Sequence, residues 1–566
     1  MRTLYSDFEP GNLLHLALAI SYERGNFSGV SLEKPLPSGY YFFTAKDIDN
    51  KKVQINGIDF PILASDNVEF QGEAVAIVAG EDEKTCQEIA CSVKIDFTGD
   101  VQIPKYEERG ISCISEREEG EESARKSAFE SAQKTIENTW NITSTFRASG
   151  ERTGAICQIA RDAVIISTPS EDSELIREAV NSVTSQKVIV NKMPSPIQKS
   201  TNALWCEAYC AAVCTAISVI TDLNTKIVFT KKEQEFLVDN PLKTLIKTKS
   251  AIDSEGKISA FEIEIEADTG FSNPMAFVIT DYLANTDFSV YDIPLFKIKA
   301  FALSTRAVPA GLNTHMMSAQ AFFASENQMD DIAREIAMFP TEIREKNFAR
   351  AKDEDGEKTK IASIIDAAAK KSDFNRKYAV YKLNALRRVD PAAKKCLPFS
   401  TALRGIGIAS VTGESYKNRD DESITKAAVV VELEVDPCTF RQKIRALHLV
   451  IDCGKIENVN AAIAVLKRDI HQISRSLSAD DTIEICETTI SFVSSEKKGS
   501  HIGEILFNAV PAAYTNALSQ ILQSKITKFP LSTKDIFCLY EQSKKNASAK
   551  EEKKEQNGNN DDTQRA

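Results

Sequence analysis

Gln320-Ala321-Phe322-Phe323-Ala324-Ser325-Glu326-Asn327-Gln328-Met329-Asp330-Asp331-Ile332-Ala333-Arg334-Glu335 is the stretch that decides the fold. Phe322, Phe323, Met329, Ile332 and Ala333, with Ile336 just beyond, fall at helical spacing, which predicts an amphipathic helix with that face inward. Pro340-Thr341-Glu342-Ile343-Arg344-Glu345-Lys346-Asn347 continues it. Before it, Pro309 leads into the loop-like Gly311-Leu312-Asn313-Thr314-His315-Met316-Met317-Ser318-Ala319.

The chain around this helix is that of an ordinary globular protein. It has 566 residues, 42% hydrophobic and 27% charged, which fits roughly three or four domains. A net charge of -12 argues against nucleic acid or an anionic membrane as the main partner. No run approaches the roughly 18 consecutive apolar residues of a membrane span, and Met1 to Asp7 does not read as a signal peptide. The expected compartment is therefore the cytoplasm. None of the 12 cysteines forms a C-x-x-C pair, and the five histidines show no metal-site spacing. No metal ligand is expected among them.

Working back from the decisive helix, Ala203 to Val219 reads as a long helix. Its Cys206, Cys210 and Cys214 share one stripe, as core residues do. Strands are expected at Thr143–Arg147, Ala163–Ser167 and Lys187–Val190, with a helix from Glu171 to Ser182. Residues 101–137 are rich in Glu and Arg and read as a charged linker. Residues 1–100 form one unit. Tyr40–Thr44 and Ala74–Ala79 are strands, Asp82 to Cys91 a helix, and Ser92–Phe97 a further strand.

Working forward, Leu403–Ala409, Thr425–Asp436 and Arg445–Gly454 read as strands, and Asn458 to Ile473 as a helix. Lys498-Gly499-Ser500-His501-Ile502-Gly503-Glu504-Ile505-Leu506 then opens a helical run from Val510 to Ile521. Gly503 permits a tight turn, and Glu504 sits in the acidic first-turn position that the helix macrodipole favours. Taken alone, this is an ordinary helix start. Residues 542–566 are polar and charged and read as a disordered tail.

Taken together, these segments resemble the molybdenum-cofactor subunit of the xanthine dehydrogenase and aldehyde oxidase family. Asp66, Val68, Gly72 and Val75 to Val78 fall where that family's alpha/beta hammerhead domain has them. The Gln320–Asn347 stretch is similar to the helix after its substrate loop, and Gly503-Glu504 to its base-bearing turn. The resemblance implies an α+β chain: a hammerhead domain (1–100), the linker (101–137), two molybdopterin-binding-type domains (138–350 and 351–541) and the tail. It also implies Glu504 as general base, Gly503 and Gln320 as cofactor contacts, and a molybdopterin-type molybdenum cofactor. The substrate would be a small aldehyde or N-heterocycle hydroxylated with water, and iron–sulfur clusters and FAD would sit on separate subunits. This chain carries no cluster motif.

The sequence departs from the family at sites that should meet the cofactor. Met193–Thr201 holds no glycine where a glycine-rich turn is expected, and Pro194 and Pro196 remove backbone donors. Thr314 stands where an arginine is expected, while His315 and Met317 replace glycines. Ala464 to His471 lacks the family's glutamine and paired glycines, and only residues 408–424 separate Gly407 from Thr425 where the family has a longer glycine-rich segment. The departures imply impaired chemistry. They leave open a second reading, a catalytically degenerate paralogue without cofactor that binds partners or stabilises a complex.

Overall fold

The computed structural model describes residues 7–49, 52–99, 110–144, 152–170, 172–193, 204–238, 240–288, 290–311, 314–348, 360–389, 402–413, 425–493, 499, 502 and 505–547. Three main sheets organise them, with helices packed between and over them. The chain is mixed α+β, as expected.

A seven-stranded sheet runs in the order Lys187–Lys192, Ala163–Thr168, Gly154–Ala160, Asn224–Val228, Leu13–Ile20, Ala74–Gly80 and Tyr41–Thr44. Leu13–Ile20 pairs parallel with Asn224–Val228, bringing Leu13 opposite Asn224. The N-terminal unit therefore shares its sheet with residues 154–228, and the division expected at residue 100 is not a division of this sheet. The cause lies in Leu13–Ile20 and Ala74–Gly80, which are apolar on both faces and need cover on both sides.

The expected linker is also corrected. Gly110–Glu119 is a strand at one edge of a six-stranded sheet, and Glu122–Ser131 is a helix. That sheet runs Lys528–Phe529, Lys134–Thr143, Lys243–Ile252, Ile258–Asp268, Leu295–Ser304, Gly110–Glu119. The charges that suggested a solvated connector are one exposed face of the strand. Glu116 and Glu118 face Lys297 across the ladder, and Arg125 is buried between Glu118 and Glu262. The strand expected at Thr143–Arg147 ends at Thr143 and runs back to Lys134, where Ile136, Asn138, Trp140 and Ile142 alternate into the core.

The four-stranded sheet Leu403–Thr412, Lys426–Val435, Gln442–Asp452, Glu484–Phe492 is covered on both faces. Helix Ile505–Leu522 lies on one face, against Gly405 and Gly407. Glu432, out of phase with Val431, faces the other side and binds Lys377 and Tyr381 of helix Phe374–Val389. Residues 533–547 are helical, so the first part of the expected tail is ordered structure; the rest of it lies outside the described residues.

Leu204–Thr221 is long and apolar enough to cross a membrane by length and composition, which the sequence reading missed. In this fold 78% of it is buried inside the chain. Cys206, Cys210 and Cys214 lie in the core, and burial pushes the Cys210 and Cys214 thiols up.

Candidate functional site

Helix Thr314–Glu335 is buried continuously from Met317 to Ala333. A helix buried on all sides must find a partner for each polar side chain it carries. Most here are satisfied. Gln328 donates to the Ile136 carbonyl at 3.0 Å and to Ser250 Oγ at 2.9 Å, and accepts from Thr248 at 2.9 Å. Asn327 donates to the Phe323 carbonyl at 2.7 Å and accepts from Thr515 at 3.0 Å. Asp331 accepts from Asn138 at 2.8 Å.

Glu326 is the hub. Its Oε2 accepts from Arg344 Nε at 3.0 Å, Arg344 Nη2 at 2.9 Å and the Ser410 backbone N–H at 2.9 Å, while Tyr291 donates to Oε1. Arg344 Nη1 also donates to Asp330 at 2.8 Å. Burial opposes the charge of Arg344, but Glu326 and Asp330 outweigh it and push its pKa up. Burial pushes Asp330 up despite the pull of Arg344. The network joins this helix to helix Pro340–Asn347 and to strand Leu403–Thr412, fixing the helix in position.

Gln320 differs from its neighbours. It is 3% exposed, and its Nε2 makes a long bond of 3.5 Å to the Leu242 carbonyl. Its Oε1 is the buried side-chain acceptor on this helix that has no donor among the described residues. A buried carbonyl left without a donor is costly, so this position is an acceptor open to an N–H that the described residues do not supply.

Gly503 and Glu504 lie outside the described residues. Ile505, directly after Glu504, starts helix Ile505–Leu522, every residue of which is buried. Asn508, in its first turn, accepts from Ser318 Oγ at 2.9 Å and donates to the Thr412 carbonyl at 3.1 Å. The turn holding Gln320 and the helix that follows Glu504 therefore meet at Ser318 and Asn508. Sequence reasoning passed over both residues, although Asn508 interrupts an apolar helical run, which was the available signal.

The departures distribute unevenly. Residues 194–201 and the side chains of Thr314 and His315 lie outside the described residues. Met193 is half-buried and packs with Ile156 and Val228. Met317, at a position where a glycine is expected, is 1% exposed and belongs to the core. Lys467 is exposed on helix Val459–Ser474. Gly405 and Gly407, which resemble the family's entry strand, serve helix packing: a Cβ on Gly407 would sit 2.6 Å from Ala517 N. No group of three or more His, Cys, Asp or Glu side chains that could hold a metal ion occurs among the described residues.

Residues 199–348, which contain Gln320 and the Glu326 network, match the molybdopterin cofactor-binding domain family. This chain resembles the molybdenum subunits of the xanthine dehydrogenase and aldehyde oxidase group. It is 22% identical over 314 residues to a probable xanthine dehydrogenase subunit of Bacillus subtilis (strain 168). That match spans 52% of this chain and 41% of the relative.

Among solved structures, the reconstituted CO dehydrogenase of Oligotropha carboxidovorans is similar at a TM-score of 0.77 and 12% identity, covering 96% of each chain. Quinoline 2-oxidoreductase from Pseudomonas putida 86 gives 0.76 and 13%, over 95% of this chain and 96% of that one. Aldehyde oxidoreductase from Desulfovibrio gigas gives 0.73 and 15%, over 95% and 79%. At these identities the likeness is one of fold. Toward a molybdopterin the chain offers at Gln320 a buried carbonyl with no donor among the described residues, an acceptor of the kind a pterin N–H takes.

Proposed function

We propose that this chain is the molybdopterin-binding subunit of a xanthine dehydrogenase or aldehyde oxidase-type oxidoreductase. Its reaction would hydroxylate an aldehyde or N-heterocycle carbon with water. One observation carries the reading: within the segment that matches the cofactor-binding domain, the Gln320 carbonyl is buried with no donor among the described residues. When bound, the cofactor supplies the redox centre that takes two electrons from the substrate carbon. Gln320 would hold a pterin N–H, and Glu504 would take the proton that the attacking water gives up. Thr314 offers a neutral hydroxyl where the resemblance expects a fixed guanidinium, so the chemistry is impaired. Electrons would leave through iron–sulfur and FAD groups on separate subunits, in keeping with the relative whose name makes it one subunit of a xanthine dehydrogenase. The cysteines described are free thiols, which suits a reducing cytoplasm.

A degenerate, cofactor-free paralogue that stabilises a complex is favoured by two observations. Met317 fills core space and Lys467 faces solvent, where the resemblance expects glycines against a cofactor. Metal and pterin analysis of the purified protein separates the two. Stoichiometric molybdenum and pterin is the expected result; their absence would leave the paralogue reading. In a loaded preparation Glu504→Gln should abolish turnover with cofactor content unchanged, and retained turnover would remove Glu504 from the base role.

A further inference from the structure

A cavity of 510 Å³ lies in the N-terminal unit and shares no lining residue with the Gln320 site. It opens between strand Leu13–Ile20, helix Glu83–Cys91, strand Val93–Phe97 and the turn at residues 230–233. Small-molecule sites run from about 300 to 1,000 Å³, so the space suits one ring-bearing molecule.

The floor is made of small side chains, Ala17, Ala19 and Ala90, each buried. One wall is the inward face of a strand: Val93, Ile95 and Phe97 alternate toward the interior, yet all three stay half-buried because they face the cavity. That apolar floor, with an aromatic side chain in the adjoining wall, accepts a planar ring, while the remaining lining is polar.

The mouth is charged in both senses. Lys232 is exposed, with Nζ 5.8 Å from the centre of the Tyr22 ring. The adjacent Lys231 pairs with Glu235, but Lys232 has no carboxylate within ion-pair distance among the described residues. Glu23 lines the same cavity, is exposed, and is likewise unpaired among the described residues. Glu233 does not compete, because its carboxylate accepts from the Thr230 backbone N–H at 2.7 Å and from Thr230 Oγ1 at 2.8 Å. A purely anionic ligand would meet Glu23, and a purely cationic one Lys232. A molecule carrying both charges on one end meets neither conflict.

We propose that this cavity binds a zwitterionic aromatic molecule of the α-amino-acid class, its ring in the alanine-floored slot, its carboxylate at Lys232 and its ammonium at Glu23. Isothermal titration of the full chain with L-phenylalanine, phenylacetate and phenethylamine tests this. The expected result is saturable one-to-one binding of L-phenylalanine, with each singly charged analogue about tenfold weaker. Lys232→Gln and Glu23→Gln each remove one exposed charge and should weaken L-phenylalanine about fivefold, the scale of one surface ion pair. Both positions are exposed, and an unchanged unfolding temperature verifies that the variants fold. No saturable binding at about 10 mM, or unchanged affinity in either variant, overturns the proposal.

Discussion

Arg344 grips Glu326 through two nitrogens, at 3.0 and 2.9 Å, with both side chains wholly shielded from solvent. Replacing Arg344 with Met would leave Glu326 and Asp330 buried without their cation. Breaking such a pair from one side costs about 3–5 kcal/mol. The urea midpoint of Arg344→Met should fall accordingly, and an unchanged midpoint would mean that the network is not holding the helix.

Gly407 has no room for a side chain, since a Cβ there would sit 2.6 Å from Ala517 N and closer still to the Ala513 carbonyl. Gly407→Ala must push helix Ile505–Leu522 off its strand, at a cost of about 1–3 kcal/mol or more. Gly110 has open space around it, and Gly110→Ala should change stability by less than about 0.5 kcal/mol. Thermal unfolding of the two variants checks the contrast.

Burial pushes the Glu73 carboxyl up to about 8, a backbone N–H donor lowering it less. Between pH 4.5 and 8 the unfolded chain has lost this proton while the folded chain keeps it. The folded state then binds more protons, so its stability falls as pH rises through that window and levels off above it. The full effect is on the order of 5 kcal/mol. Glu73→Gln keeps an oxygen acceptor for the Glu69 N–H and carries no charge, so its denaturation midpoint should be higher at pH 8 and flatter from pH 5 to 8. A variant with the wild-type pH slope would show that Glu73 is already ionised in the fold.

Gln320→Leu should separate binding from stability. It removes a buried acceptor without a donor, so the cofactor-free protein should be as stable as wild type, or more stable by about 1–3 kcal/mol. Its pterin content should drop by about tenfold, the scale of one hydrogen bond of that worth. Wild-type pterin content in Gln320→Leu would remove Gln320 from the site.

Much of the fold was legible because it rests on periodicity. The helices at 204–221 and 459–474 lie within a few residues of where apolar spacing puts them. Those at 314–335 and 505–522 begin earlier than expected, and residues 314–319, read as loop, are the first turns of a helix. The strand at 110–119 was hidden because its ladder partners are supplied by residues 295–304, so its charges look solvated when read alone. The sharing of one sheet by residues 13–20 and 224–228 is equally invisible in local pattern. Gln320 was singled out through resemblance, whereas the lack of a donor for its carbonyl among the described residues shows only in its three-dimensional neighbours. Nothing in the local sequence singles out Glu326, because its partners, Arg344, Tyr291 and Ser410, are scattered along the chain.

The six-stranded sheet also sets an order of events. Asn141 and Ile142 in its strand Lys134–Thr143 pair with Lys528 and Phe529, so one end of an edge begun early in the chain is held by residues made much later. Until they arrive, the Lys134–Thr143 strand has one bare flank, open to any other extended chain nearby. A contact so distant in sequence closes slowly. The nascent protein therefore passes through a period in which its later Lys528–Phe529 segment competes with foreign strands for that flank.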